Sequence, residues 1–208
     1  MARIYDITPA ITPELAVFPG DTPPSRAMLL DMKRGDHLTL STLKTTVHLG
    51  AHVDGPNHYG RDDAGVDALP IERFLGPAQV IDVAIERGQR FNASHVQGAI
   101  NATRVLFRTK TYPNPESWNE DFAGMDPGFV RELHDMGVEL VGIDTPSVDL
   151  STAKDLVAHH AFRDTQISIL EGIVLNDVPV GHYELIALPL RLVDFDASPV
   201  RAVLRTLG

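Results

Sequence analysis

The segment from Val47 to His58 constrains the fold more than any other part of the sequence. Gly50, Gly55 and Pro56 lie within it and make a helix improbable there. In an extended chain, side chains alternate between two faces, so all even positions share one face. The even positions include four polar side chains suited to metal binding: His48, His52, Asp54 and His58. The odd positions are apolar and are predicted to face the core: Val47, Leu49, Ala51 and Val53.

A straight strand would hold His48 and His52 too far apart to share an ion easily. At about 3.3 Å per residue their Cα atoms would be roughly 13 Å apart, which is near the limit for two imidazoles with metal bonds of about 2.0–2.1 Å. We therefore expect the chain to bend at Gly50, which would also leave space for an ion on the ligand face. Imidazole and carboxylate ligands suit Zn²⁺ and accept Mn²⁺, and three protein ligands leave a position open to water, as in catalytic sites. The alternative is a His-rich surface loop.

A second group of candidate ligands lies further along the chain. Glu171 is in the middle of an apolar run, Ile167–Leu175, which is predicted to be a buried strand. A buried carboxylate has to be paired, hydrogen-bonded or bound to a metal. A structural ion pair is the alternative to a metal for this residue.

Two adjacent histidines precede Glu171. The segment Ser151–Phe162 is predicted to be a helix capped by Ser151, with His159 and His160 near its C-terminal end. Adjacent helical side chains point about 100° apart, so only one of the two histidines would face a given site. A histidine at that end is also favoured by the helix dipole alone. Taken with Glu171 and the first group, these residues indicate a second metal ion, which Asp54 could bridge to the first.

The rest of the sequence predicts an α/β protein in which strands outnumber helices. A length of 208 residues suits one domain over residues 1–208, and no linker or repeat divides it. Strands are predicted at Arg3–Ile7, His37–Val47, Ala78–Ala84, Arg104–Arg108, Leu140–Asp144, Ile167–Leu175 and Tyr183–Leu192. Helices are predicted at Asn92–Ala99, Asp126–Met136 and Ser151–Phe162, with a shorter one after Pro199. In the second of these helices, Asp126 is expected to cap the start and Gly137 to stop the end.

Composition and charge narrow the function. The absence of cysteine excludes disulfides and thiolate ligands, so any metal site has to use His, Asp or Glu. A formal net charge of −10 disfavours nucleic-acid and anionic-membrane partners, which need a basic surface. The N-terminus lacks a basic stretch followed by an apolar run, and no apolar stretch is long enough to span a bilayer. A cytoplasmic location is therefore expected.

The first motif resembles the signature of a known family. The pattern His48-x-Gly50-Ala51-His52-x-Asp54-x-Pro56-x-His58 is similar to that of the cyclase-like metal-dependent hydrolases. Five further segments resemble the bacterial kynurenine formamidase branch: Phe18–Thr22, Gly142–Ser147, Leu170–Leu175, Tyr183–Leu190 and Asp196–Leu204. The resemblance therefore covers nearly the whole chain. Many family members have Trp where this chain has Phe18, and Leu49 and Gly55 also depart from the expected motif.

The resemblance implies a swivelling β/β/α fold, a homo-oligomer that is at least a dimer, and a site with two zinc ions. The first ion would be held by His48, His52 and Asp54. The second would be held by Asp54, His159 and Glu171, because the family spacing between histidine and glutamate selects His159 over His160. His58 would be the acid/base residue, and Phe18 would contact the aryl ring of the substrate.

The resulting hypothesis is metal-dependent hydrolysis of N-formyl-L-kynurenine to L-kynurenine and formate. His58 titrates near neutrality and is suited to take a proton from water and deliver it to the aryl amine that leaves. The alternative for His58 is a fourth ligand or a residue that supports the ligands. Trp118 could also touch the ring, but ordinary packing is the favoured interpretation. One rival function is hydrolysis of another aryl amide, lactam or imide such as isatin; another is a non-catalytic metal- or ligand-binding protein, against which the presence of His58 argues.

Overall fold

The computed structural model describes residues 2–207. Within them the strands are β1 (Ile4–Asp6), β2 (Ser25–Leu30), β3 (Leu40–Lys44), β4 (His52–Asp54), β5 (Leu75–Asp82), β6 (Arg90–Phe91), β7 (Arg104–Arg108), β8 (Gly124–Met125), β9 (Leu140–Ile143), β10 (Ser168–Glu171), β11 (Gly181–Ile186), β12 (Ala197–Pro199) and β13 (Val203–Thr206). The α-helices are α1 (Pro127–Asp135) and α2 (Val157–Thr165). Short 3₁₀ turns lie at Met32–Arg34, Pro56–His58, Val66–Ala68, Ile71–Phe74 and Ala93–His95. None of the helices in residues 2–207 is long and apolar enough to cross a bilayer.

Nine of these strands form one mixed sheet in the order β1-β13-β11-β5-β7-β9-β10-β4-β12. The central strands β5, β7, β9 and β10 are parallel to one another, and the strands on either side of them pair in antiparallel fashion. In the antiparallel pair of β4 and β10, His52 lies directly opposite Glu171. Opposed residues of antiparallel strands point to the same face, so the sheet brings these two side chains together from distant parts of the chain.

The sheet separates two hydrophobic cores, because alternate residues of its central strands point to opposite faces. In β7, Leu106 packs into one core with residues of β11 and β13. Val105 and Phe107 pack into the other core, which contains the apolar faces of α1 and α2. Both faces of β7 are fully buried, and burial of a side chain such as Phe107 contributes about 1.5–3 kcal/mol. The expectation of a strand-rich α/β fold with few helices is confirmed.

Several local expectations are confirmed by the backbone. The strand predicted at Arg104–Arg108 is β7, residue for residue. Helix α1 begins at Pro127, where the Asp126 carboxylate accepts hydrogen bonds from the backbone N–H groups of Gly128 and Phe129 at 2.8 and 3.2 Å. It ends before Gly137, which has a φ of +82°. Capping and stop signals in the sequence therefore place this helix correctly.

Other expectations are wrong, and long-range pairing is the main reason. The predicted helix at Asn92–Ala99 is only the 3₁₀ turn Ala93–His95, because Val96 forms a β-bridge with Val83. The short helix expected after Pro199 is instead the strand β13, which pairs with β1 and β11. A strand at Ser25–Leu30 was not expected; it pairs with Leu40–Lys44, so the strand predicted at His37–Val47 is shorter.

Candidate metal centre and its cavity

The bend expected at Gly50 is present. Gly50 has a φ of +54°, a left-handed conformation that glycine adopts without steric cost. A Cβ atom at Gly50 would lie 2.9 Å from Pro9 Cγ, so the space that glycine leaves is used by Pro9 rather than by an ion, and that expectation is wrong. A Cβ atom at Gly172 would lie 2.1 Å from the carbonyl oxygen of Gly50. The two glycines therefore let the chain entering β4 pass against the end of β10.

Asp54 is the centre of the cluster. Its Oδ1 atom lies 3.3 Å from His48 Nδ1 and 3.5 Å from His52 Nε2. Its Oδ2 atom lies 3.5 Å from His159 Nε2. His52 Nε2 also lies 3.3 Å from Glu171 Oε2, and His159 Nε2 lies 3.7 Å from Glu171 Oε1. The structure thus brings together all five residues predicted as metal ligands.

The buried atoms at this centre lack ordinary hydrogen-bond partners. His52 Nε2 and both carboxylate oxygens of Asp54 are buried without a hydrogen bond within the described residues. Such atoms are costly to bury unless they bind something. The Nδ1 atom of His52 lies 2.9 Å from the carbonyl oxygen of Gly50, and a hydrogen bond donated by Nδ1 leaves the lone pair of Nε2 directed at Asp54. This donor set fits a divalent metal ion.

His159 reaches the centre from α2, but from the opposite end of the helix to the one expected. The helix begins at Val157 rather than near Ser151, so His159 lies in its first turn and a helix-end cation role does not apply. Leu156 precedes it with a φ of +44°. His159 is buried, whereas His160 is exposed, which agrees with the expectation that only one of them faces the site.

Asp149 holds His159 in place. Its Oδ2 atom lies 2.8 Å from His159 Nδ1 and accepts the backbone N–H of His159 at 3.1 Å. Its Oδ1 atom lies 2.6 Å from Arg90 Nη1. A carboxylate on Nδ1 leaves Nε2 free for a metal and makes the imidazole a stronger donor. Glu171 is fixed in a similar way, since its Oε1 atom accepts the backbone N–H of Val148 at 2.6 Å.

The electrostatics favour a cation at the centre. Burial lowers the pKa of His159, but its hydrogen bond to Asp149 and the nearby carboxylates of Asp54 and Glu171 outweigh burial and raise the pKa to about 10. Burial also opposes the charged form of His48, yet Asp54 raises its pKa to about 9. Burial alone would raise the pKa of Asp54, but the surrounding imidazoles hold it well below its usual value. Because metal-bound imidazoles are neutral, an ion binding here at neutral pH displaces protons from His48 and His159.

His58 lies at the edge of this cluster, on the 3₁₀ turn Pro56–His58 rather than on a continuous strand. Its ring centroid is 4.1 Å from that of His48, and its Nδ1 atom is 4.0 Å from Asp196 Oδ2. The same Asp196 oxygen lies 3.1 Å from His48 Nε2. About one third of the His58 side chain is exposed. This position lets His58 face both the ligand cluster and the cavity that the cluster adjoins.

The cluster forms the floor of a cavity of about 520 Å³. Phe18 and Trp118 both line it, and their rings meet edge to face with centroids 5.1 Å apart. Trp118 also packs against Tyr112 and Phe122. The polar segment after Thr109 therefore contributes an aromatic wall to the cavity as well as a packed cluster. The cavity combines a metal-binding floor with an aromatic wall.

Asp149 and Asp196 contact the ligand histidines but were not predicted from the sequence. Asp196 nevertheless begins one of the segments that carry the family resemblance. Neither has a local pattern around it, because their partners lie 10 and 148 residues away. The one available signal was that Asp196 lies within a matched segment and Asp149 lies two residues after another.

Comparison with known proteins agrees with this geometry. A family model described as "Putative cyclase" matches residues 5–150. A kynurenine formamidase from Bordetella avium is 42% identical over 100% of both chains. A kynurenine formamidase from Delftia acidovorans is 41% identical over 99% of both chains.

Solved structures agree as well. One described as "The Structure Of Potential Metal-Dependent Hydrolase With Cyclase Activity" has a TM-score of 0.86 and 26% identity and covers 100% of both chains. Isatin hydrolase A from Labrenzia aggregata has a TM-score of 0.82 over 100% of this chain and 94% of its own, but at 23% identity it shows the fold alone. Fold, site geometry and full-length similarity together show that the chain belongs to the cyclase family of metal-dependent hydrolases and, within it, to the kynurenine formamidases.

Proposed function

We propose that this protein hydrolyses N-formyl-L-kynurenine to L-kynurenine and formate. The observation that carries the proposal is Asp54, whose carboxylate has no hydrogen bond within the described residues and faces three imidazoles beneath a cavity with an aromatic wall. The full-length similarity to kynurenine formamidases supports the same reaction. An aryl formamide fits this arrangement, because its ring is flat and its carbonyl is small.

We infer two Zn²⁺ ions in each subunit. His48, His52 and Asp54 would hold the first ion, and Asp54, His159 and Glu171 the second, with Asp54 shared between them. Mn²⁺ is also compatible with this set of ligands. A bound divalent ion acidifies water and polarises a carbonyl oxygen.

Side chains of the protein transfer the proton and position the substrate. Burial lowers the pKa of His58 to about 4, below the near-neutral value expected from the sequence, so its imidazole is neutral near pH 7 and can accept a proton. His58 takes that proton from the attacking water and delivers it to the aryl nitrogen as the C–N bond breaks. Phe18 and Trp118 position the ring of the substrate. Pro9 and Leu15 pack beside Gly50 and make one side of the cavity apolar.

The test is an assay of the purified protein, loaded with Zn²⁺, on N-formyl-L-kynurenine with release of formate as the measurement. We expect turnover that falls at least about 100-fold after chelation and returns when Zn²⁺ is added back. Isatin should be hydrolysed much more slowly than the formamide. Faster turnover of isatin would assign the protein to the rival ring-opening reaction, and absence of any turnover with metal bound would favour a binding protein instead.

We infer that residues 1–208 act as one hydrolase domain and that this domain dimerises. β1 and β13, from opposite ends of the chain, pair in the same sheet. The hairpin made by β2 and β3, residues 25–44, does not join that sheet. Leu29 and Leu43 on this hairpin are each 60% exposed. An isolated two-stranded hairpin is only marginally stable, and exposed apolar patches mark interfaces.

Charge indicates a second copy of the chain as the partner of the hairpin. Residues 25–44 contain four Lys or Arg and two Asp, a net charge of +2, so the remainder of the chain carries −12. The hairpin of one copy is therefore attracted to the acidic body of another. A reciprocal contact of this kind gives a closed two-fold dimer.

The double variant Leu29→Glu, Leu43→Glu should weaken this dimer. We expect its dissociation constant to rise about 100-fold or more, since a charge would be buried in the contact. Light scattering after size exclusion measures the mass directly. Met136→Glu, an equally exposed apolar position beyond α1, is the control and should stay dimeric. A wild-type monomer at micromolar concentration, or an unchanged mass in the double variant, would contradict the proposed interface.

A further inference from the structure

The cavity above the metal ligands has an uneven distribution of charge. Lys154 is the only Lys or Arg among the residues that line it. Asp21 also lines it and comes from a different segment of the chain. The other two lining carboxylates are already engaged, since Asp144 accepts hydrogen bonds from Thr109 and Glu171 belongs to the metal cluster. Lys154 and Asp21 are therefore the lining pair of opposite charge that the metal site does not use.

Within residues 2–207, Lys154 has no ion-pair partner. Among the lysines of the described residues, only Lys110 lies within 4.0 Å of a carboxylate. The backbone that carries Lys154 is nevertheless held at both ends. The hydroxyl of Ser151 donates to the carbonyl oxygen of Glu120 at 2.8 Å, and Asp149 accepts the backbone N–H of Ala158 at 3.2 Å. The ammonium group is thus free to bind a ligand while its backbone stays tied to the segments that hold His159.

Asp21 is also positioned by its backbone. Its N–H donates to the carbonyl oxygen of Phe18 at 2.9 Å and closes the turn that carries the aromatic ring. Its Oδ1 atom accepts the backbone N–H of Thr22 at 2.7 Å, which leaves its second carboxylate oxygen available. The neighbouring Ala16 donates its N–H to the carbonyl oxygen of Pro115, so this turn is attached to the aromatic wall.

We propose that Lys154 binds the α-carboxylate of the substrate and that Asp21 binds its α-ammonium group. This inference rests on the proposed function, because N-formyl-L-kynurenine carries a zwitterionic amino-acid end on its aryl ketone. With the formamide at the metal ligands and the ring against Phe18 and Trp118, that end faces the remaining charged residues of the cavity. The inferred metal ions are engaged by the formamide, so Lys154 is the remaining cation of the cavity lining that can meet the free carboxylate.

The binding roles of Lys154 and Asp21 predict a preference for substrates that carry an amino-acid group. 2-Formamidoacetophenone has the same formamide and aryl ketone but lacks the amino-acid end. A charge-assisted hydrogen bond corresponds to about 10–100-fold in affinity. The wild-type enzyme should therefore have a KM for N-formyl-L-kynurenine that is lower by about that factor, with a similar kcat for both compounds.

The experiment compares Lys154→Met with wild type on these two substrates, using the Zn²⁺-loaded full chain. We expect kcat/KM for N-formyl-L-kynurenine to fall about 10–100-fold, mainly through KM, and that for 2-formamidoacetophenone to change less than about 2-fold. Lys154→Arg should restore most of the loss because it keeps the charge. Asp21→Asn should show the same substrate dependence. Arg191→Met, at an exposed position outside the cavity lining and outside the hairpin of residues 25–44, is the matched control.

The outcomes separate this inference from the proposed function. If wild type hydrolyses N-formyl-L-kynurenine but Lys154→Met matches it on both substrates, the binding role of Lys154 is wrong and the hydrolase assignment stands. An equal loss on both substrates would show a structural role and would also overturn the inference. If wild type hydrolyses neither substrate with metal bound, the proposed function itself fails.

Discussion

The Asp54→Asn variant is expected to lose bound metal and to fall in turnover by on the order of 1,000-fold or more. Asn keeps the size of Asp54 but removes the charge that faces His48, His52 and His159. The two inferred ions share this carboxylate, so its loss affects both of them. Elemental analysis of the purified protein measures the metal, and formate release measures turnover.

Thermal unfolding distinguishes this effect from simple misfolding. A ligand that binds only the folded chain stabilises it by about 4 kcal/mol at 1,000 times its Kd, which corresponds to about 8–16 °C in Tm for a chain of this size. Chelation should lower the Tm of wild type by such an amount and leave that of Asp54→Asn unchanged. Metal-free Asp54→Asn should still unfold in one cooperative transition, although at a lower Tm than metal-free wild type, because Asn removes the charge that faces the protonated imidazoles of His48 and His159.

Asp62→Asn is the matched control for this variant. Asp62 is exposed on the loop after the His58 turn and takes no part in the metal cluster. It should keep wild-type metal content, Tm and turnover. Full metal content with normal turnover in Asp54→Asn would contradict the inference that Asp54 is the ligand shared by the two ions.

The first ligand group could be predicted from the sequence because its constraints are local. The distance between His48 and His52 along an extended chain already requires a bend, and Gly50 is the residue between them that can adopt one. The structure adds a long-range contact that no local sequence pattern predicts. Gly50 and Gly172 are far apart in sequence, and their close approach allows the pairing that brings Glu171 opposite His52.

The start of α2 and the roles of Asp149 and Asp196 could not be predicted, because they depend on contacts between residues distant in sequence. Ser151 has the chemistry of a helix cap, but its hydroxyl donates to Glu120 instead, and the helix begins six residues later. Leu156 takes a left-handed φ that its residue type does not favour. Such a conformation is held by contacts distant in sequence, as are the hydrogen bonds of the two carboxylates.

The His58→Ala variant is expected to retain its metal ions and to lose turnover by about 100–10,000-fold, the range for a general acid–base group. His58 touches the ring of His48 and opens to the cavity, so it can reach both an attacking water and the leaving aryl amine. The loss should appear in kcat rather than in KM, because the group acts on the proton in the transition state and not on substrate binding. Single-substrate kinetics on N-formyl-L-kynurenine and elemental analysis measure the two quantities.

The geometry also makes His58 a rival ligand, since one of its ring nitrogens lies within 4.8 Å of donor atoms of Asp54 and His159. Loss of metal in His58→Ala would assign it to the ligand set and overturn the proton-transfer role.

His160→Ala is the matched control, because His160 follows His159 directly in α2 but is exposed to solvent. It should keep both metal and turnover, whereas His159→Ala should lose both. Equal behaviour of the two helix variants would contradict the choice of His159, and unchanged kcat in His58→Ala would mean that another group carries the proton to the amine.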